Sequence, residues 1–224
     1  MEKFYEQFLK RERPSGMIFD VDGTLLDSMP VWAHSGERYL ATIGVHAPES
    51  LGRILFSMTM QQGAQYMKHT FGLPQTAEEI RMGIIQVVEA AYRTETGCKA
   101  GVYDFLKALH TADVPMIIVT SNERTLVEAA FERLAIRMYF KEILTCGEFG
   151  SGKDQPAIFQ AAAARIGSDP EGTWVVEDGL YAIRTAKAAG MRTIGVADAS
   201  SKKDEEQIRI EADYFITGFN QTES

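Results

Sequence analysis

Short apolar runs recur along this chain, each followed by a longer stretch in which apolar residues repeat at helical spacing. The runs are Met17–Phe19, Met116–Val119, Glu142–Thr145, Trp174–Val176, Thr193–Val196 and Tyr214–Ile216. Strands this short and this apolar find burial only inside a sheet covered on its faces, and the intervening stretches supply the covering helices. Helices are predicted at about Val102–Ala112, Glu123–Leu134, Pro156–Ile166, Tyr181–Ala189 and Lys202–Ala212. The alternation predicts α/β architecture, a doubly wound, mainly parallel Rossmann-like sheet. In such a sheet ligands gather at the carboxyl ends of the strands.

One interval breaks the rhythm. Between Ser28 and Gly97 no convincing strand pattern occurs, only helical patterns over Val31–Ile43, Met60–Phe71 and Ala77–Thr94. Asp27 and Ser28 ahead of Pro30 make a helix start. Gly44, Gly72, Pro74 and Gly97 mark boundaries. The segment 28–97 is therefore expected to be an inserted helical domain, with 1–27 and 98–224 forming the α/β core. The opening residues, MEKFYEQFLKRERPSG, are expected to be a short helical extension.

Composition narrows the class of partner. The formal net charge of −8 argues against a nucleic-acid or anionic-membrane binder, which carries a basic patch. With 45% hydrophobic residues among 224, a sizeable core is available. The two cysteines, Cys98 and Cys146, have neither metal-ligand spacing nor the number for a disulfide framework. No apolar segment has signal-peptide or bilayer-spanning length. A cytoplasmic monomer is expected, and any phosphate it handles must be met by a metal ion or a few placed cations.

The most informative stretch is MIFDVDGTLLDS, Met17 to Ser28. Side chains alternate along an extended strand, so Asp20 and Asp22 can enter one pocket, and Gly23 lets the chain turn sharply. Two close carboxylates repel unless a cation or a shared proton intervenes. A hard divalent cation with oxygen ligands relieves that repulsion, and magnesium is the usual choice beside phosphate.

These residues resemble the first motif of the haloacid dehalogenase superfamily, and the other motifs follow in order over about Ser15 to Phe219. The resemblance points to the β-phosphoglucomutase and phosphoglycolate-phosphatase branch, whose helical cap follows the first motif. It implies that Asp20 is the nucleophile that becomes an aspartyl phosphate, and Asp22 the general acid and base. Asp22 also favours phosphoryl transfer over carbon–halogen cleavage. MIIVTSN is similar to the second motif, which implies phosphate binding by the Thr120 hydroxyl and the amides of Ser121 and Asn122. WVVEDG is similar to the fourth. It implies magnesium ligation by Asp178 together with Asp20 and Asp22, and a coordinating or water-positioning role for Glu177. The family often continues that motif as E-D-S-x-x-G-I; here Gly179 replaces the serine and Ala182 the glycine.

Lys153 admits two readings. GEFGSGKDQP carries the glycines and lysine of the P-loop signature, but Asp154 stands where that loop needs a hydroxyl for magnesium. The P-loop reading also leaves Asp20, Asp22 and Thr120 unexplained. The superfamily resemblance places Lys153 in the third motif, where it neutralises charge on the nucleophile and the phosphoryl group. Pro156 keeps that motif's second proline, and the first is lost.

The expectation is a Mg2+-dependent phosphatase of a small phosphorylated metabolite. Two alternatives stand beside it: a sugar phosphomutase of the β-phosphoglucomutase type, and a catalytically silent phosphometabolite-binding protein. A phosphomutase of that type carries a histidine where this chain has Trp32; His34 lies two residues on, on another helical face. Arg53, Gln61, Gln62, Lys68 and His69 are candidate substrate contacts of the helical segment. Met58, Met60 and Met67 are expected to fill gaps in its packing.

Overall fold

The computed structural model describes residues 3–55 and 58–221. Residues 1, 2, 56, 57 and 222–224, which the domain assignment above includes, lie outside the described residues. The chain falls into two compact units, Met1–Asp27 with Gly97–Ser224, and Ser28–Thr96.

The first unit opens with helix α1 (Phe4–Glu12) and strand β1 (Gly16–Phe19). The second contains α2 (Met29–Ala33), α3 (Ser35–Thr42), α4 (Leu51–Leu55), α5 (Met60–Phe71) and α6 (Ala77–Thr94). The first then resumes with α7 (Val102–Thr111), β2 (Met116–Thr120), α8 (Arg124–Arg133) and β3 (Glu142–Thr145). It continues through α9 (Cys146–Phe149), α10 (Pro156–Ile166), β4 (Thr173–Glu177) and α11 (Leu180–Ala188). It closes with β5 (Arg192–Val196), α12 (Glu205–Glu211) and β6 (Tyr214–Ile216).

All six predicted strands are present and form one sheet in the order β3-β2-β1-β4-β5-β6. Every neighbouring pair is parallel, with Phe19 in register with Ile118 on one side and Val176 on the other. Alternation along the strands divides the core in two. Ile18, Ile117, Val119, Leu144 and Val175 pack with Ile158, Phe159, Ala162 and Ala163 of α10 and Ala182 and Ala186 of α11. Small alanines let those helices lie close to the sheet. Helix α10 has Pro156 in its first turn and ends on Gly167 at φ 77°, a left-handed conformation suited to glycine.

The opposite face is aromatic. Phe8 meets Trp174 edge to face at 4.9 Å between centroids, and Phe105 lies 6.0 Å from Phe19 and 5.2 Å from Phe219. Helix α1 is thus a component of the core, since Phe4 and Phe8 are both buried. The reason is tertiary: the helix spreads few apolar residues, but two of them fall on the face that meets Trp174 and Phe105. Its last residue, Glu12, takes hydrogen bonds from Arg192 and Tyr214.

In the helical unit, Tyr39, Leu40, Leu51, Ala64, Met67, Leu73, Ile80 and Ile84 form a separate core. Reciprocal capping boxes, Thr59 with Gln62 and Thr76 with Glu79, start α5 and α6. The predicted helix Val31–Ile43 is interrupted at His34 (φ −107°, ψ 13°), giving α2 and α3. Met67 is buried as expected of a packing residue, Met58 is half-buried and Met60 is exposed. Among the described residues, no helix is long and apolar enough to cross a membrane.

Candidate active site

Parallel strands end at the same edge of a sheet, so residues far apart in sequence meet there. Asp20 follows β1, and its amide donates to the Val176 carbonyl of β4 at 3.0 Å. Glu177 ends β4 and Asp178 follows it. Asp20, Glu177 and Asp178 each offer a carboxylate oxygen, and these oxygens lie within 4.8 Å of one another. Lys153, ahead of α10, reaches into the same spot. Its Nζ donates to Asp20 Oδ1 and, at 2.8 Å, to Glu177 Oε2.

All four side chains are buried, which sets the electrostatics. Burial opposes the charge on Lys153, yet the Asp20 and Glu177 carboxylates against it hold its pKa above the ordinary lysine value. Burial raises the pKa of Glu177, and Asp20 adds to this while Lys153 opposes it. Burial likewise raises Asp178, reinforced by Glu177, Asp20 and Asp198. Three carboxylates face one ammonium, so the pocket holds an excess of negative charge. Oxygen-only donors with excess negative charge fit a hard divalent cation such as Mg2+, held by Asp20, Glu177 and Asp178.

The loop after β1 is built to bring these groups close. Gly23 has φ 84°, and a Cβ there would lie 2.8 Å from Asp178 Oδ2. Only glycine meets both requirements. Thr24 Oγ1 then donates to Asp178 Oδ1 at 3.2 Å. The Gly23 amide donates to the Leu26 carbonyl at 3.0 Å, closing the turn. Leu26 pairs antiparallel with Cys98, and the Lys99 amide donates to the Leu25 carbonyl at 2.9 Å. Lys99 Nζ in turn reaches Asp198 Oδ2 and the Ala197 carbonyl, both at 2.7 Å. The loop after β1 is thereby tied through residues 97–99 to the segment that follows β5.

The remaining predicted residues divide. Asp22 is half-buried and stands outside the three-carboxylate cluster; its Oδ2 accepts a hydrogen bond from Asn122 Nδ2 at 2.9 Å. The cluster takes Glu177 where the sequence reading has Asp22. Thr120 ends β2, and its Oγ1 accepts the Asn122 amide at 3.0 Å, so that amide is directed at Thr120. Ser121 is exposed, with Oγ 3.6 Å from Cys146 Sγ. Gly147 lies in α9, and the lysine of the P-loop-like stretch points to Asp20. In the helical unit, Trp32 Nε1 donates to Tyr92 Oη at 2.9 Å, and Lys68 Nζ donates to the Gln75 carbonyl at 2.8 Å. Arg53, Gln61, Gln62 and His69 are exposed.

Sequence reasoning gave no role to Thr24, Lys99 or Asp198. Thr24 sits inside the quoted motif, so its position was the available signal. No local pattern links Lys99 to Asp198.

Residues 17–196 match the family model described as haloacid dehalogenase-like hydrolase. A fructose-1-phosphate phosphatase from Escherichia coli (strain K12) is 26% identical over 193 residues, covering 83% of this chain and 97% of its own. A phosphoglycolate phosphatase from Salmonella typhi is 27% identical over 210 residues, covering 84% and 82%. Among solved structures, a candidate β-phosphoglucomutase from Thermotoga maritima has a TM-score of 0.80 at 20% identity, over 90% of this chain and 94% of that one. CbbY from Rhodobacter sphaeroides, in complex with phosphate, has a TM-score of 0.74 at 22% identity, over 93% and 96%. At such identities the structural likeness concerns the fold.

Proposed function

This chain belongs to the haloacid dehalogenase-like hydrolases, and we propose that within them it is a Mg2+-dependent phosphatase of a small phosphorylated metabolite, working through an aspartyl phosphate. The observation that carries the proposal is the meeting of Asp20, Lys153, Glu177 and Asp178 in one buried pocket. The phosphatase names of the relatives from Escherichia coli and Salmonella typhi support phosphorylated sugars or small phosphorylated acids as the substrate class.

Each residue has a task that its surroundings suit. Lys153 holds one oxygen of the Asp20 carboxylate, so the group is fixed in orientation before substrate arrives. An Asp20 oxygen attacks phosphorus, the bond to the leaving oxygen breaks, and Asp22 gives that oxygen its proton. A water oxygen then attacks the aspartyl phosphate, Asp22 takes back a proton, and the bond from phosphorus to Asp20 breaks. The products are the alcohol and inorganic phosphate. Asn122 keeps the Asp22 carboxylate in place for both transfers. The Thr120 hydroxyl oxygen accepts from Asn122, which leaves its own proton to donate to a phosphoryl oxygen. Lys153 offsets charge on the transferring group. Asp20, Glu177 and Asp178 would hold Mg2+, which when bound would supply positive charge beside the phosphoryl oxygens.

The helical unit Ser28–Thr96 is assigned substrate discrimination. Trp32, paired with Tyr92, has a packing role there, and the absence of histidine at that position favours the phosphatase over the phosphomutase. The test is hydrolysis of an aryl phosphate with Mg2+ present and after chelation, in the wild type and in Asp20→Asn. Turnover is expected to vanish with the metal. It should fall by at least about three orders of magnitude in the variant, about 4 kcal/mol of lost transition-state stabilisation. A folded Asp20→Asn protein that retains substantial turnover removes the nucleophile assignment.

A further inference from the structure

Lys99 and Asp198 form an ion pair that stands outside the three-carboxylate cluster. Lys99 Nζ lies 2.7 Å from Asp198 Oδ2, with the two side chains only 13% and 6% exposed. The same ammonium donates to the Ala197 carbonyl at 2.7 Å. Asp198 Oδ1 accepts from the amide and the hydroxyl of Ser200 at 2.9 and 2.6 Å. A pair this well covered costs desolvation on both charges and is a weak source of net stability. Its consequence here is geometric, because it anchors residues 97–99, which belong to no helix or strand.

Those residues meet the turn after β1 at three points. The Asp27 amide donates to the Gly97 carbonyl at 2.9 Å, Leu26 bridges Cys98, and the Lys99 amide donates to the Leu25 carbonyl at 2.9 Å. Leu25 and Leu26 are fully buried, and their amides both donate to the Val21 carbonyl, at 2.9 and 2.8 Å. The other side of the turn meets both oxygens of Asp178. Thr24 Oγ1 donates to Oδ1 at 3.2 Å, and Oδ2 lies 2.8 Å from where a Cβ on Gly23 would stand. A continuous series of contacts thus runs from Asp198 through Lys99 and Leu25 to Thr24 and Asp178.

We propose that Lys99 and Asp198 are positioning residues for metal binding: the pair braces the turn at residues 23–26, and the turn orients Asp178 toward a Mg2+ ion shared with Asp20 and Glu177. The inference rests on the Mg2+ site proposed above and adds to it two residues that hold no metal themselves. Charge alone predicts the opposite behaviour. Asp178 feels the negative charge of Asp198, which Lys99 offsets. Stripping the lysine would by charge alone draw Mg2+ in more tightly. Loss of a brace loosens it, so the direction of the change separates the two roles.

The experiment measures Mg2+ binding by calorimetry to the wild type, Lys99→Met and the double variant Lys99→Met/Asp198→Asn. Aryl phosphate hydrolysis is titrated with Mg2+ on the same samples, and circular dichroism checks that each is folded. The double variant removes one positive and one negative charge, so net charge is kept and no buried charge is left unpaired. The test therefore stands even where Lys99→Met alone does not fold. The double variant is expected to bind Mg2+ about tenfold more weakly, the scale of an outer-shell partner, and Lys99→Met should also lose affinity. The Mg2+ concentration for half-maximal hydrolysis should rise by the same factor, with the rate at saturating Mg2+ within about twofold of the wild type. A role in stability alone would lower the melting temperature and leave the affinity of the folded protein unchanged. Wild-type or tighter Mg2+ binding in either folded variant overturns the inference. Loosened Mg2+ without any hydrolysis sinks the phosphatase reading and leaves the brace standing. Hydrolysis with unaltered Mg2+ affinity in the variants does the reverse, and a wild type that binds no Mg2+ overturns both.

Discussion

Strand β4 begins and ends in opposite environments. At its start Trp174 lies in an aromatic cluster with Phe8 at 4.9 Å and Tyr214 at 5.6 Å, and Arg192 stacks on it at 4.0 Å. At its end Glu177, with Asp178 just beyond, crowds against Asp20, and only Lys153 intervenes. Each region also holds well-covered carboxylates, and these respond in opposite senses. Burial opposes the charge on Glu12, but Tyr214 and Arg192 outweigh it and hold Glu12 below the usual carboxylate range. Glu177 and Asp178 are pushed above that range by burial, the Asp20 charge adding to both and the Glu177 charge to Asp178. One end of the strand is built so that folding satisfies its charge. The other keeps an unmet demand for positive charge, which a metal ion can meet.

Within this comparison the largest expected effect comes from removing Lys153 at the acid end. Lys153→Met should lower aryl phosphate hydrolysis by about 10²- to 10³-fold, measured as kcat. A variant that folds and keeps wild-type kcat would mean that the two ends differ in packing alone. Next comes the aromatic end. Phe8→Ala should lower unfolding stability by about 3–5 kcal/mol in denaturant titration, through the cavity left under Trp174. It should leave kcat/KM of the folded protein unchanged, since the chemistry proposed above lies at the other end of the strand.

Acidity separates the regions further. Because the folded-state pKa values of Glu177 and Asp178 are raised, the metal-free fold holds protons that the unfolded chain has released. Its stability therefore falls as pH rises from the ordinary carboxylate range toward those raised values. Mg2+ competes with the same protons, so the rise in melting temperature on adding it should be small near pH 5 and larger near pH 8. A metal effect independent of pH would contradict the placement of these acids. The smallest effect belongs to Glu12, whose lowered pKa contributes stability above the unfolded value and loses it as pH falls through the folded value. Glu12→Gln should cost about 1 kcal/mol at neutral pH, and progressively less as pH falls through the lowered folded-state value. Its melting temperature should still rise with Mg2+ as the wild type's does.

Much of this molecule is readable along the chain because the relevant signals are local. Apolar runs at strand spacing and amphipathic runs at helical spacing identify β1 to β6 and most helices, since the period of side-chain burial follows from backbone geometry alone. The candidate site residues Asp20, Asp22, Thr120, Lys153, Glu177 and Asp178 stand in short motifs for a similar reason: each sits where a strand or loop reaches the carboxyl edge. What no local pattern carries is the choice of partner. Helix α1 reads as an extension, but Phe4 and Phe8 find Trp174 and Phe105, and it becomes core. Asp22 stands beside Asp20 in its motif, and the partner its Oδ2 finds is Asn122, one hundred residues on. Lys99 finds Asp198, and the ring of Tyr181 lies against Gly179. By itself the sequence determined the order of the elements and the kinds of side chain offered at the edge of the sheet. Only the tertiary structure decided which of those side chains touch, because contacts between distant segments depend on strand order and helix placement, and these are settled by packing across the whole core.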